Sequence, residues 1–369
     1  MDTNKRLLSL DTLRGFDMMF IMGFASIVVA VCSLFPNGSD CWLATQMDHV
    51  SWNGLRHHDT IFPLFLFIAG ISFPFSYAKQ KENGYSKGRT TAKIIRRGII
   101  LFVLGLVYGG LFNLDFAHLR IPSVLARIGF AWMFAALLFI NFKPKVRGII
   151  AAVILIGYYL LIRFIPAPDM PGADPLSLEG NLVGYIDRTL MGEHLWNKNL
   201  FDPEGTLSLL PAIVTAMLGM FTGEFVRMPE EKFSGNKKTV YMFAAAAVMA
   251  VVGLLWSLDF PVNKKLWSSS FVLVVGAFSL ASFALFYYII DVKGWKKWTF
   301  FFKVIGMNSI TIYMAQRIIP FGRISDFFFG KAAELCPEPV GELIGAVAYF
   351  AVSWLFLYFL YKKKVFLKV

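Results

Sequence analysis

About ten runs of apolar residues, each long enough to cross roughly 30 Å of hydrocarbon as a helix, follow one another along the chain. They fall near 15–35, 60–78, 98–114, 122–141, 148–165, 207–226, 239–258, 270–290, 300–319 and 341–361. Polar residues collect in the segments between them, and no stretch remains that could form a soluble core. The pattern predicts an all-α fold: one integral-membrane domain over residues 1–369, a polytopic bundle of about ten transmembrane helices. The first run is too long for a signal-peptide core and lacks a small-residue cleavage site, so it is expected to stay as a helix. Two connecting loops stand out, at about 36–59 and 166–206. The second opens Pro166-Ala167-Pro168-Asp169-Met170-Pro171-Gly172, which cannot be helical. Loops of this length are functional or disordered, and Tyr185, Leu190, Trp196 and Phe201 argue for order. No internal repeat is evident, which weighs against an inverted-repeat transporter.

Composition agrees: 57% of residues are hydrophobic and the mean hydropathy is +0.59, outside the range of soluble globular chains. A net charge of +12 would suit a nucleic-acid partner, but the placement of the charge rejects that reading. With the N-terminus cytoplasmic, one set of loops carries Lys5, Arg6, Arg14, the seven basic residues between Lys79 and Arg97, and those of 143–147, 227–238, 293–303 and 362–368. That is 25 of the 36 Lys and Arg residues. The opposite loops carry eight: Arg56, Arg120, Arg188, Lys198, Lys264, Lys265, Arg323 and Lys331. Such a bias orients the chain with both termini in the cytoplasm and brings its basic loops to anionic lipid. Cys32, Cys41 and Cys336 allow a disulfide without implying one, and no spacing resembles a metal site.

Chemistry concentrates in Asp48-His49-Val50-Ser51-Trp52-Asn53-Gly54-Leu55-Arg56-His57-His58-Asp59, at the mouth of the second run. Polar groups beside hydrocarbon are costly unless they pair or line a wet cavity, so they mark a pathway or a reaction site. His57 and His58 read most simply as surface loop residues, and His49 is the stronger candidate for proton transfer. Inside the runs, Asp11, Arg14 and Asp17 share a helix face, either as a paired cap stripe or as ligand contacts. Arg120 and Arg127 lie two turns apart, with Pro122 well placed to start their helix. Arg127 is then about 10 Å into the bilayer and needs an anion from another helix or from a ligand. Asn308 and Ser309 serve either as helix-packing polar residues or as ligand contacts.

Read together, these segments resemble the heparan-α-glucosaminide N-acetyltransferase family of transmembrane acyltransferases. The resemblance rests on Ser9-Leu10-Asp11-Thr12-Leu13-Arg14-Gly15, His49-Val50-Ser51-Trp52-Asn53-Gly54-Leu55, Phe62-Pro63-Leu64-Phe65 and Arg120-Ile121-Pro122-Ser123-Val124-Leu125-Ala126-Arg127. It continues through Gly184-Tyr185-Ile186-Asp187-Arg188, Phe201-Asp202-Pro203-Glu204-Gly205, Pro261-Val262-Asn263-Lys264-Lys265-Leu266-Trp267-Ser268 and Gly306-Met307-Asn308-Ser309. It covers the chain from about residue 8 onward. It implies acetyl transfer across a membrane from acetyl-CoA to the amine of a terminal glucosamine, with His49 as the active-site residue. The chain departs from the animal enzymes in two ways. It starts ten residues before Asp11, without their lumenal domain and extra helix, which suits a bacterial-type inner-membrane version. It also has no Asn from Phe16 through Pro36, where they carry one implicated in catalysis, so Ser26 or a residue from another helix is the expected replacement.

On this reading His49 is the proton acceptor, with Asp48 or Asp59 orienting its ring. An imidazole, whose ordinary pKa is about 6.5, suits that task. Trp52, Asn53, Asp187 and Glu204 complete the acceptor side with Asp48 and Asp59. Arg14, Arg97, Arg120, Arg127 and Asn308 are the candidates for acetyl-CoA, with no metal required. Direct transfer in a ternary complex is expected over an acetyl-imidazole intermediate. The expected partners are an amino sugar or glycosaminoglycan fragment and the lipid bilayer, with no nucleic acid, and a homodimer is possible. The competing functions are an O-acetyltransferase of envelope polysaccharide and a secondary transporter.

Overall fold

A computed structural model describes residues 7–196 and 200–367, so the basic residues Lys5, Arg6, Lys198 and Lys368 of the charge count lie outside the described residues. The described chain forms helices α1 (Leu8–Met19), α2 (Ala25–Ser33), α3 (Trp42–Thr45), α4 (His57–Glu82), α5 (Lys87–Tyr108), α6 (Val124–Asn141), α7 (Pro144–Phe164) and α8 (Leu182–Met191). They continue with α9 (Leu209–Val226), α10 (Gly235–Trp256), α11 (Ser269–Phe286), α12 (Thr299–Met307), α13 (Ser309–Ile318), α14 (Phe321–Glu334) and α15 (Glu338–Lys362). No strand occurs among the described residues, as the hydrophobic pattern predicts.

Among the described residues eight helices are long and apolar enough to cross a membrane, against the ten runs read from the sequence. The difference has two physical sources. The first half of α5 carries Lys87, Arg89, Lys93, Arg96 and Arg97, too many charges for a simple apolar span. It nevertheless runs beside α6 along its length, where Gly105 meets Ser123 and a Cβ on Gly129 would come within 2.8 Å of the Leu101 Cβ. The run at 300–319 is broken into α12 and α13 at Asn308, whose φ of −122° and ψ of 21° leave the helix.

The first run is likewise not one regular helix. A π turn at Phe20–Phe24 joins α1 to α2, and Gly23 within it has a φ of 125°, a left-handed conformation that glycine adopts without a side-chain clash. Glycine also permits the closest crossing, where a Cβ on Gly15 would collide with the Phe302 carbonyl. The core lies between α4, α6, α9 and α11, with Phe67, Ala212, Trp267 and Phe271 almost fully buried. The helices at its edge, α7, α10 and α15, turn apolar faces outward, as a bundle solvated by lipid requires. A cavity of about 530 Å³ between α4, α9, α10 and α11 is lined by apolar side chains with Thr222 and Tyr241, and no carboxylate, histidine or basic group among the described residues lines it.

Candidate functional site

The cluster before α4 is organised by one carboxylate. Asp59 sits at the third position of α4, where the exposed N–H groups of a helix start favour an anion. Its Oδ2 accepts from the backbone N–H groups of Arg56 (3.2 Å) and Val50 (3.3 Å). Its Oδ1 lies 2.7 Å from His49 Nδ1. The same carboxylate thus caps the helix and holds the imidazole. Asp59 is 1% exposed, whereas the His49 side chain is half exposed at the mouth of the bundle. Asp48 does not orient the ring: it accepts from the His49 backbone N–H at 2.7 Å and faces solvent beside Arg56.

A lysine that the sequence reading did not place in the site completes it. Lys264 Nζ is 3.4 Å from Asp59 Oδ1 and 3.2 Å from His49 Nδ1. Burial pulls its ammonium below the ordinary lysine value, against the opposing pull of Asp59 and Glu204. Nδ1 cannot accept from Lys264 while donating to Asp59. The shorter contact assigns the Nδ1 proton to the Asp59 bond, leaving Lys264 as counterion to the carboxylate and Nε2 as the acceptor. The loop before α11 brings Lys264 there by several tethers. Gly54 N donates to the Val262 carbonyl at 2.8 Å, Asn263 Nδ2 donates to Asn53 Oδ1 at 3.0 Å, and Asn263 also pairs with Ser268 and Leu266. Trp52 joins the long loop instead, through Nε1 to the Leu176 carbonyl (2.8 Å) and an edge contact with Phe201.

Of the histidines set aside as loop residues, His58 packs edge-on to His49 with ring centroids 4.7 Å apart, while His57 points inward against Phe20 at 4.4 Å. The Nδ1 atoms of both are buried without a hydrogen-bond partner among the described residues. Ser26 is exposed on α2.

The described residues of the long loop are arranged around a charged network. Arg120 makes a two-pronged contact with Asp202 (2.6 and 2.9 Å) and also meets Glu204. Burial lowers the Arg120 pKa, but the two carboxylates reverse this and leave it above the usual arginine value. Asp187 is fully buried and accepts from Thr206 N at 2.9 Å and Asp202 N at 3.4 Å. Burial pushes its pKa up to about 6 despite those donors. Asp187 is therefore a strut under the 202–206 segment, away from the exposed rim at which an acceptor could arrive. Arg127 donates to the Gly205 carbonyl (3.1 Å) and to Ser208, with its guanidinium 5.0 Å from the Trp267 ring centroid.

The five residues assigned to acetyl-CoA consequently separate. Arg120 and Arg127 belong to the end of the bundle that bears His49. Arg14 bonds Ser72 of α4 at 3.4 Å, about 20 Å along the helix from Asp59 at 1.5 Å per residue. Arg97 lies near Arg14, 4.1 Å over the Trp132 ring, and its Nε has no partner among the described residues. Asn308 stands between the two ends, buried, with Oδ1 unpartnered. Next to it a narrow apolar seam of about 40 Å³ runs between α1, α4, α6 and α13, lined by Ile61, Phe65, Leu125, Ser309, Ile310 and Tyr313 among others.

Fold and site together define a membrane-type helix bundle with a charged His–Asp–Lys group at one mouth. Over 99% of its length the chain is 28% identical to the heparan-alpha-glucosaminide N-acetyltransferase of Mus musculus and 29% identical to that of Homo sapiens. These comparisons bear out the resemblance read from the motifs. The chain spans about 60% of the length of these relatives. No family model matches it.

Proposed function

We propose that the chain is a transmembrane N-acetyltransferase. It takes acetyl from cytoplasmic acetyl-CoA and passes it to the amine of a terminal glucosamine, of heparan type or related, on the opposite face of an inner membrane. The observation that carries the reading is the His49 ring, fixed by Asp59 through Nδ1 and exposed at the mouth. The names of the two relatives support the chemistry, and the basic-residue bias supports both termini lying on the cytoplasmic side.

His49 Nε2 takes a proton from the sugar ammonium, freeing the amine lone pair to attack the acetyl carbonyl. The new C–N bond replaces the C–S bond, the imidazolium returns its proton to the departing thiolate, and the second amine proton leaves to water at the exposed mouth. Asp59 holds the ring and stabilises the imidazolium that forms, while Lys264 keeps Asp59 ionised. Asp48, Asn53 and Trp52 form the rim that meets the sugar. Glu204, through Arg120, fixes the neighbouring wall. Acetyl-CoA, when bound, supplies the activated acetyl thioester. The residues present fit it: Arg97 and Asn308 carry buried polar atoms without partners, and Arg14 and Arg97 would hold its phosphates. Asn308 would meet the amides of the pantetheine arm.

Purified protein given acetyl-labelled CoA and a panel of amino sugars tests the reading. An alkali-stable N-acetyl product is expected. An alkali-labile ester would make it an O-acetyltransferase, and sugar uptake into vesicles without any acetylated product would make it a transporter.

A further inference from the structure

A second cavity, about 320 Å³, opens beside the site between α5, α6, Met191 and the 204–209 segment. Its two ends differ in chemistry. One end is Arg127 and Glu204; the other is Phe102, Phe130 and Phe134, and Phe134 is 41% exposed on the surface that faces lipid. At the polar end Arg127 is 2% exposed, yet its Nε and Nη1 have no partner among the described residues. Unpartnered buried donors are expensive, so this end is built to meet oxygen acceptors. It also lies near the reaction centre, because the Glu204 charge acts on Lys264, which is 3.2 Å from His49 Nδ1.

We infer that this cavity is a lateral entrance from the bilayer for an acceptor carried on a lipid: a glycolipid whose terminal sugar bears a free amine. The hydrocarbon chain lies along Phe102, Phe130 and Phe134. Sugar hydroxyls accept from Arg127, and the ammonium is drawn toward Glu204 and the rim at His49. Asp202, Glu204 and Asp187 outnumber Arg120 and Arg127, so the region carries more carboxylates than guanidinium groups and favours a cationic sugar head over an anionic one. A soluble oligosaccharide would use only the polar half of the cavity. The inference rests on the acetyltransferase reading and adds the acceptor class to it.

The test uses the full chain in lipid nanodiscs with acetyl-CoA and two acceptors sharing one head group, methyl and dodecyl α-glucosaminide. Two variants reshape the apolar half of the cavity: Phe134→Ala removes its exposed wall and Leu209→Trp fills it. Each buried methylene multiplies binding by about four. Loss of contact with even two of them should therefore raise KM for the dodecyl acceptor by about tenfold or more, with kcat and the methyl acceptor unchanged. Partition of the dodecyl compound into the bilayer would lower its KM in every variant alike, so variants that shift both acceptors equally, or neither, overturn the inference while leaving the acetyltransferase reading standing. If neither acceptor is acetylated by the unmodified protein, that reading falls and the inference with it.

Discussion

Around His49 the decisive feature is a third charge. Lys264 sits within 3.4 Å of Asp59, so its removal leaves the carboxylate uncompensated beside the ring. The imidazolium is then favoured, and the acid limb of the kcat/KM profile should move to higher pH by about one unit, since a unit charge at 4 Å contributes about 1 kcal/mol in water and more near protein. Lys264→Met should show that shift and Lys264→Arg should largely restore the profile; an unmoved limb with reduced protein yield would make Lys264 structural. Asp187 gives a separate residue-scale test. Burial raises its folded pKa to about 6 from the ordinary carboxyl value of 3.8, so its contribution to stability is complete below about pH 4 and is lost as pH rises through 6. Melting curves between pH 4 and 7 should fall more steeply for the unmodified protein than for Asp187→Asn; parallel curves would contradict the assignment. His49 and Asp59 were legible because ten residues of one loop and a helix start contain both. Lys264 lies 215 residues from His49, and nothing in one sequence measures that proximity.

At the level of elements, most span ends fell within a few residues of the hydropathy reading, except that α1 starts at Leu8 rather than 15 and α5 runs Lys87–Tyr108 rather than 98–114; the interruptions were not readable. Asn308 between α12 and α13, and the π turn around Gly23, are backbone departures within runs whose overall hydropathy stays high, so periodicity passes over them. The charge on α5 is the converse case, where packing against α6 keeps a poorly apolar helix in the bundle. These elements frame the seam beside Asn308. Its 40 Å³ is close to the room one water needs, so a pantetheine arm passes only when side chains part. Ile310 is partly exposed and lines the seam, so it tolerates bulk better than a core position. Ile310→Trp should lower turnover more than tenfold while acetyl-CoA binding, measured by titration, and melting temperature stay near those of the unmodified protein. Full turnover would show that the seam is not the acyl route.

For the molecule as a whole, the claim is a division of labour between two faces. The His–Asp–Lys group and the long loop occupy one end, and Arg14 and Arg97 occupy the other. Segment order and the basic-residue bias made that polarity visible in the sequence. The partition of the arginines was not visible, because Arg120 and Arg127 find their carboxylate and carbonyl partners only through the folded 202–208 segment. In a background lacking Cys32, Cys41 and Cys336, single cysteines at the exposed positions Thr189 and Lys87 should label from opposite sides of a sealed vesicle.

The most direct measurement supplies the two substrates from opposite sides. In vesicles whose orientation is fixed by that labelling, acetyl-CoA is given at the Lys87 face and a membrane-impermeant glucosaminide at the Thr189 face. The account predicts N-acetylated sugar on the Thr189 side only, and a loss of about a hundredfold or more in His49→Ala with acetyl-CoA binding retained. Product formed only when both substrates share one face, or His49→Ala retaining more than about a tenth of the turnover, would contradict it.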